Sequence, residues 1–178
     1  RRRGARDLAL QLADMDREVY ADLALHVAQQ PSETAEFMLV RVLAYALEYE
    51  EGIAFTEGVA AVDQPAVWVR DLTGRVTAWI EVGAPDAERV HRGSKLAGRA
   101  AVYTHRDPRT LLATYANSRI HRAAEVPVYS FDREFLAQAA ARLQRRSKLA
   151  LTVTERQIYL DIDGHDLSTP IDTAAASG

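Results

Sequence analysis

The chain has 178 residues, a formal net charge of −3 and 48% hydrophobic residues, so it is long enough for one domain with its own core. It contains no cysteine, which excludes disulfides and thiolate metal sites. No apolar run is long enough to cross a membrane, so we expect a cytoplasmic protein with no membrane partner.

The first predicted elements are two strands, residues 6–13 and 20–28, separated by a turn at 14–17. Together they form an N-terminal β-hairpin. A helix is then predicted from an N-cap at Ser32 to about Tyr49. Apolar side chains cover most of its circumference, which is typical of a helix packed in the core.

Two acids, Glu33 and Glu36, lie in the first turn of this predicted helix. Because they continue the stripe that runs through Val40 and Leu43, their carboxylates are expected along the buried face. Two interpretations are open. The acids complement the helix dipole, or one of them contributes to a metal site.

Residues 55–67 are predicted to connect this helix to the clearest pattern in the chain, a hairpin at 68–83. Its second strand alternates apolar residues from Val76 to Val82, the period of a strand. Glu81 lies inside that run, so its carboxylate must be neutralised, hydrogen-bonded or bound to a cation. We expect this strand to lie in the middle of a mixed sheet.

Helices and strands alternate through the rest of the chain. The sequence therefore predicts an α/β (α+β) fold with a mixed central sheet and flanking helices. Residues 1–170 are expected to form one domain, followed by a disordered tail at 171–178. The predicted elements are a helix at 86–97, a parallel strand at 100–104, a helix at 111–116, a strand at 125–130, a helix at 133–146 and a closing hairpin at 149–162.

Charge is distributed unevenly along the sequence. Residues 14–63 hold eleven acids and two bases, whereas residues 89–122 hold eight bases, three histidines and one acid. Solvated faces are the common explanation for such blocks. A long basic block also suits phosphate or another anionic partner, including nucleic acid.

Several short motifs lie in order along nearly the whole chain. They are Ala13-Asp14-Met15-Asp16-Arg17, Pro31-Ser32-Glu33-Thr34 with Glu36-Phe37-Met38, Phe55-Thr56-Glu57-Gly58, Trp79-Ile80-Glu81-Val82-Gly83 with Pro85-Asp86 and Arg89, and Val102-Tyr103-Thr104. Together these motifs resemble the YaeQ family. The resemblance implies a bacterial protein with a variant of the restriction-endonuclease-like fold, whose PD-(D/E)XK superfamily is built around a metal-dependent site. It implies no settled activity.

The superfamily pattern requires two acids that hold a divalent cation, Mg²⁺ or Mn²⁺, and a lysine two residues beyond the second acid. Glu81 fits the second acid. Gly83 occupies the lysine position, so Arg92 or Lys95 of the following helix is the candidate replacement. Glu33 or Glu36 would complete the predicted metal ligands.

The first acid is either Asp63 or Asp71. If Leu72-Thr73-Gly74 forms a three-residue turn, Asp71 pairs with residue 75, six residues from Glu81. That separation is about 20 Å along a strand, too far to share a cation. Asp63 is therefore preferred, because the residue facing Glu81 falls near Pro65, and Asp71 is assigned to the turn.

Two functions remain open. The first is a magnesium-dependent nuclease-like enzyme that acts on nucleic acid, with Glu81, Asp63, Arg92 and Lys95 in its catalytic site. The second is a module that keeps the fold without catalysis and binds nucleic acid or a protein through residues 89–122. Ala66 and Gly83, which replace an acid and a lysine of the pattern, favour the second. The retained acids favour the first; they are Glu33, Glu36, Asp63 and Glu81.

Overall fold

The structure, a computed structural model, describes residues 5–57 and 63–177. The described chain contains two mixed sheets and four α-helices, so the predicted mixed α+β class is confirmed. The predicted mixed central sheet is present, and the remaining strands, including the N-terminal hairpin, form a second mixed sheet. The elements are β1 (Arg6–Asp14), β2 (Val19–Val27), α1 (Ala35–Leu47), β3 (Ile53–Phe55), β4 (Val67–Arg70), β5 (Val76–Val82), α2 (Ala87–Leu96), β6 (Arg99–Thr104), α3 (Pro108–Ala116), β7 (Pro127–Ser130), α4 (Arg133–Arg142), β8 (Arg146–Thr154), β9 (Gln157–Ile162), β10 (His165–Pro170) and β11 (Asp172–Ala175).

Internal contacts divide the described chain into two units. The first contains the chain up to Leu39 together with Phe131–Ile171, and the second contains Val40–Ser130 with the residues from Asp172 onward. The prediction of one domain over residues 1–170 stays a prediction. We describe each unit separately.

The first unit contains a five-stranded sheet in the order β10-β9-β8-β1-β2. β1 and β2 pair antiparallel along their full length, which confirms the N-terminal hairpin. β8 lies parallel to β1 on its other side. Alternation along β1 buries Leu8, Leu10 and Leu12, as the period of a strand requires.

The second unit contains a six-stranded sheet in the order β11-β7-β6-β5-β4-β3. β5 pairs antiparallel with β4 and parallel with β6, so it is an interior strand as predicted. β6 and β7 continue the parallel part. The three-residue β3 is not among the predicted elements, and only its last residue, Phe55, falls in the segment predicted to be a connection.

The β4–β5 hairpin fixes the position of Glu81. Gly74 has a φ of 87°, and the backbone N–H of Asp71 donates to the carbonyl of Arg75 at 2.9 Å, so the predicted three-residue turn is confirmed. An irregularity between Val69 and Arg70 shifts the pairing by one residue. Trp68 then lies opposite Trp79, and the last pair of the ladder is Val67 with Ile80. Extending this register by one residue before β4 places Ala66 opposite Glu81, where Pro65 was expected.

Helix α1 is shorter than predicted. It begins at Ala35, where the Thr34 hydroxyl accepts a hydrogen bond from the backbone N–H of Phe37 at 3.1 Å. Thr34, three residues before that donor, is therefore the N-cap, and the assignment of Ser32 was wrong. The helix is packed in the core as expected, since Met38, Leu39 and Val40 are fully buried. No helix within residues 5–57 and 63–177 is long and apolar enough to span a membrane.

The C-terminal predictions need two corrections. α4 ends at Arg142, and Arg146 begins β8 instead of extending the helix. The tail predicted to be disordered contains β11, which pairs antiparallel with β7. The composition of the tail did not predict this strand, because backbone pairing holds the tail in place. One such hydrogen bond, of 2.8 Å, runs from the N–H of the buried Ala176 to the carbonyl of Val126.

Candidate functional site

The buried carboxylate of Glu81 is the centre of the candidate site. Glu81 and Trp79 are two residues apart on β5 and therefore share one face of the sheet. Glu81 is only 4% exposed. Its Oε2 atom accepts hydrogen bonds from Trp79 Nε1 at 2.9 Å and from Arg89 Nε at 3.1 Å. A cation of the chain itself therefore neutralises this acid.

Arg89 connects three segments of the second unit. It lies on α2, and its Nη2 atom donates to the carbonyl of Gln64 at 2.5 Å while approaching Glu81 Oε1 at 3.5 Å. Its backbone N–H donates to Oδ1 of Asp86, the N-cap of α2, at 2.8 Å. The side chain of Arg89 is 22% exposed, so the ion pair is largely shielded from solvent.

Burial controls the protonation of this cluster. It raises the pKa of Glu81 above the ordinary value of 4.5, although Arg89 and Trp79 act in the opposite direction. Burial also raises the pKa of Tyr115, and the charges of Glu81 and Asp86 add to that increase. The hydroxyl of Tyr115 donates to the carbonyl of Pro85 at 2.7 Å, so the tyrosine remains a neutral donor. We call Trp79, Glu81, Arg89, Gln64 and Tyr115 the Glu81 cluster.

The other predicted metal ligands lie in different parts of the chain. Asp63 is exposed and directly precedes Gln64 of the Glu81 cluster. Glu33 and Glu36 are half-buried and belong to the first unit. Over the residues that the structure describes, no three His, Asp or Glu side chains are grouped so that they could hold a metal ion. The Mg²⁺ or Mn²⁺ site stays a prediction.

Asp71 has the turn role assigned to it. Its Oδ1 atom accepts hydrogen bonds from the Thr73 hydroxyl at 2.6 Å, from the Thr73 N–H at 2.9 Å and from the Arg75 N–H at 3.1 Å. The side-chain bond from Thr73 is the main reason that the pKa of Asp71 is lowered. This carboxylate therefore holds the hairpin turn.

The basic side chains of residues 89–122 include some that bind a carboxylate of the chain and some that have no carboxylate partner among the described residues. Arg99 lies outside α2, because α2 ends at Leu96 and Arg99 begins β6. Its guanidinium binds both carboxylate oxygens of Glu48, at 2.7 and 2.8 Å. Arg92 and Lys95 are exposed, and no carboxylate among the described residues lies within 4.0 Å of either.

Glu48 belongs to a second buried polar cluster, which the sequence did not suggest. It is 8% exposed and also accepts a 2.5 Å hydrogen bond from the hydroxyl of Tyr103. Burial, followed by the charge of Glu48, raises the pKa of Tyr103 well above its ordinary value. Arg99 lies 51 residues from Glu48 in sequence. The only local signal was an acid at the end of an apolar helix.

We expect Tyr103→Phe to lower the free energy of unfolding by about 1.5–3 kcal/mol, because a buried carboxylate loses a charge-assisted hydrogen bond. Urea denaturation measures this change. The matched control is Tyr159→Phe, whose ring is 49% exposed and which should change stability by less than about 0.5 kcal/mol. Equal stability of the two variants would show that Arg99 alone satisfies Glu48.

Comparison with known proteins gives one consistent family. The family model described as "YaeQ protein" matches residues 4–171. The chain is 32% identical over 157 residues to the Escherichia coli protein named "Uncharacterized protein YaeQ", which covers 88% of this chain and 87% of that protein. The Salmonella typhi protein of the same name is 31% identical over 150 residues, covering 84% and 83%.

Two solved structures are similar in fold to this chain. The crystal structure of YaeQ protein from Xanthomonas axonopodis pv. citri has a TM-score of 0.86 and 30% sequence identity, and the match covers 95% of this chain and 96% of that one. For the YaeQ protein from Pseudomonas syringae the TM-score is 0.85 and the identity 31%, with 95% and 94% covered.

Proposed function

The chain belongs to the YaeQ family, and we propose that it is a nucleic-acid-binding module that contacts phosphates through the exposed face of α2 and does not cleave its ligand. The observation that carries this proposal is the state of the cations in residues 89–122. Arg89, Arg99 and Arg109 each bind a carboxylate of the chain.

Arg92 and Lys95 differ from those three arginines. Both are exposed on α2, and neither has a carboxylate partner among the described residues. They are three residues apart, so their side chains are neighbours on the helix surface. Two adjacent cations that the fold does not neutralise attract a polyanion and release its condensed counterions on binding.

The Glu81 cluster supports binding over catalysis. Oε2 of Glu81 already accepts two hydrogen bonds, and the guanidinium of Arg89 lies against both carboxylate oxygens, 3.1 Å from Oε2 and 3.5 Å from Oε1. A divalent ion would have to displace Arg89 or lie against its positive charge. The donor set therefore fits an ion pair better than Mg²⁺ or Mn²⁺, and we derive no hydrolytic step from it.

A magnesium-dependent nuclease of the restriction-endonuclease-like superfamily is the second candidate. The observation in its favour is a buried acid on an interior strand, Glu81, with the exposed Asp63 in the adjoining segment. In that case Arg92 or Lys95 would supply the charge that the superfamily lysine provides. Both candidates are consistent with the cytoplasmic location proposed from composition.

Fluorescence anisotropy with labelled single-stranded and duplex oligonucleotides over a salt series tests the proposal. For wild type, each phosphate neutralised should contribute about −0.9 to the log–log salt slope on duplex and about −0.7 on single strands. The double variant Arg92→Glu/Lys95→Glu should bind at least about tenfold more weakly. The loss should be similar for all sequences, because phosphate contacts carry no base information.

The matched control reverses two exposed arginines of α4, Arg133→Glu and Arg142→Glu. This variant changes the net charge by the same amount as Arg92→Glu/Lys95→Glu, but in the first unit. If binding is local to α2, its affinity should stay within about twofold of wild type. Cleavage that needs magnesium and disappears in Glu81→Gln would identify the nuclease instead. Failure of wild type to bind either probe at low salt would reject both candidates and leave a protein partner.

A further inference from the structure

The two tryptophans of the chain have different environments. Trp79 is 4% exposed, whereas Trp68 on β4 is half-exposed. The two lie directly opposite each other in the β4–β5 register. Directly opposite side chains project from the same face of a sheet, so Trp68 continues the face that carries Trp79 and Glu81.

A cation lies over the ring of Trp68. Arg70 is two residues further along β4 and on the same face. The CZ carbon of its guanidinium is 5.1 Å from the Trp68 ring centroid, within the range of a cation–π contact. Arg70 is exposed and Trp68 is half-exposed, so the guanidinium and the ring together form a cation–π pair that is accessible to a ligand.

One flank of α2 faces this strand. Gly93 lies against Trp79, because a Cβ at that position would be 2.3 Å from Trp79 Cδ1. Arg89 reaches the carbonyl of Gln64, in the segment that leads into β4. The flank that carries Arg89 is therefore directed toward β4, and residues three and seven positions later lie on the same flank.

Those two residues are Arg92 and Leu96. Arg92 is exposed, and Leu96 is 56% exposed. The flank of α2 that carries Arg89 thus also carries one exposed cation and one exposed apolar side chain. We call Trp68, Arg70, Arg92 and Leu96 the Trp68 platform.

We propose that the Trp68 platform binds single-stranded nucleic acid, with one base stacked on the Trp68–Arg70 pair and the adjacent phosphate held by Arg92. Aromatic rings stack on every base, so such contacts tolerate any sequence, and a basic neighbour follows the backbone. A base inside a duplex already has neighbours on both faces and cannot enter. The inference rests on the proposed function and specifies its ligand.

Intrinsic fluorescence provides the first test. Because Trp79 is buried, quenching by a short unlabelled oligothymidylate should report on Trp68. We expect saturable quenching in wild type and no quenching in Trp68→Phe, which removes the fluorophore but retains a stacking ring. Quenching that persists in Trp68→Phe would overturn the platform, because it would come from Trp79.

Affinity provides the second test, with the same labelled probes as above. Trp68→Leu should weaken single-strand binding by about tenfold or more, since loss of one stacked base has effects of this size, and should leave duplex affinity within about twofold. Trp68→Phe should retain single-strand affinity within about threefold. Thermal unfolding of each variant establishes that it is folded at the assay temperature.

The outcomes separate the two proposals. If Trp68→Leu retains single-strand affinity, or loses affinity for both probes equally, the platform is wrong. If Arg92→Glu/Lys95→Glu still weakens binding in that case, the proposed nucleic-acid function stands without it. If wild type binds neither probe, both proposals fail together.

Discussion

Replacing Arg89 by methionine should lower the free energy of unfolding by about 3–5 kcal/mol at neutral pH, because removing one partner leaves the other charge buried. The retained charge is that of Glu81, whose side chain is 5% exposed while that of Arg89 is 22% exposed. Methionine preserves most of the aliphatic packing of the arginine stem. Urea denaturation of the two proteins at several pH values measures the difference.

The pH dependence has a definite sign. The folded-state pKa of Glu81 is raised above its ordinary value of 4.5, with burial as the main cause and Arg89 opposing it. An acid with a raised folded pKa destabilises the fold above that pKa, and the penalty is relieved as pH falls through it. Without Arg89 the pKa of Glu81 rises further. The stability gap between wild type and Arg89→Met should therefore be largest at neutral pH and narrow on acidification.

The double variant Glu81→Gln/Arg89→Met is the matched control. It removes both charges, so it should be more stable than Arg89→Met at neutral pH. The difference between its free energy of unfolding and that of wild type should also depend less on pH. A double variant as unstable as the single one would show that Arg89 acts through packing and its bond to Gln64 instead of through Glu81.

The sequence was sufficient to predict the strand that carries Glu81, because apolar residues alternate from Val76 to Val82 with the period of a strand. It also predicted the hairpin turn, since Asp71 and Gly74 have side-chain and backbone requirements that are local. The pairing irregularity at Val69 could not be predicted, because a one-residue shift arises from the match between two strands and not from either one alone.

The long-range partners of these residues and strands could not be predicted from the sequence, for a different reason. The sequence shows that Arg89 is one of eight bases between residues 89 and 122. That count does not predict that its side chain binds the buried carboxylate of Glu81. Arg99 was counted in the same basic block, whereas it forms a bidentate pair with Glu48. The parallel pairing of β1 with β8 likewise joins the two ends of the chain. Local patterns report burial and period, and they do not specify which buried groups meet.

The contact between α2 and β5 leads to a further prediction. Gly93→Ala should destabilise the protein by about 1–3 kcal/mol, the usual cost of overpacking a filled core. An alanine would normally stabilise a helix interior by about 1 kcal/mol relative to glycine. Here its Cβ would lie 2.3 Å from Cδ1 and 2.5 Å from Cγ of Trp79. That ring is buried and its Nε1 is bonded to Glu81, so it cannot move without weakening the Glu81 cluster.

Gly98→Ala is the control for this steric effect. The nearest atom to its added Cβ is the carbonyl oxygen of Thr77 at 4.0 Å, so we expect a change within about 0.5 kcal/mol. Urea denaturation compares the two variants, and the emission of Trp79 should shift only in Gly93→Ala. If α2 moves away from β5 to accommodate the methyl group, Arg92 moves with it, and nucleic-acid affinity should fall in Gly93→Ala but not in Gly98→Ala. A stabilised Gly93→Ala would mean that helix propensity outweighs the contact with Trp79, and that α2 is free to move on the sheet.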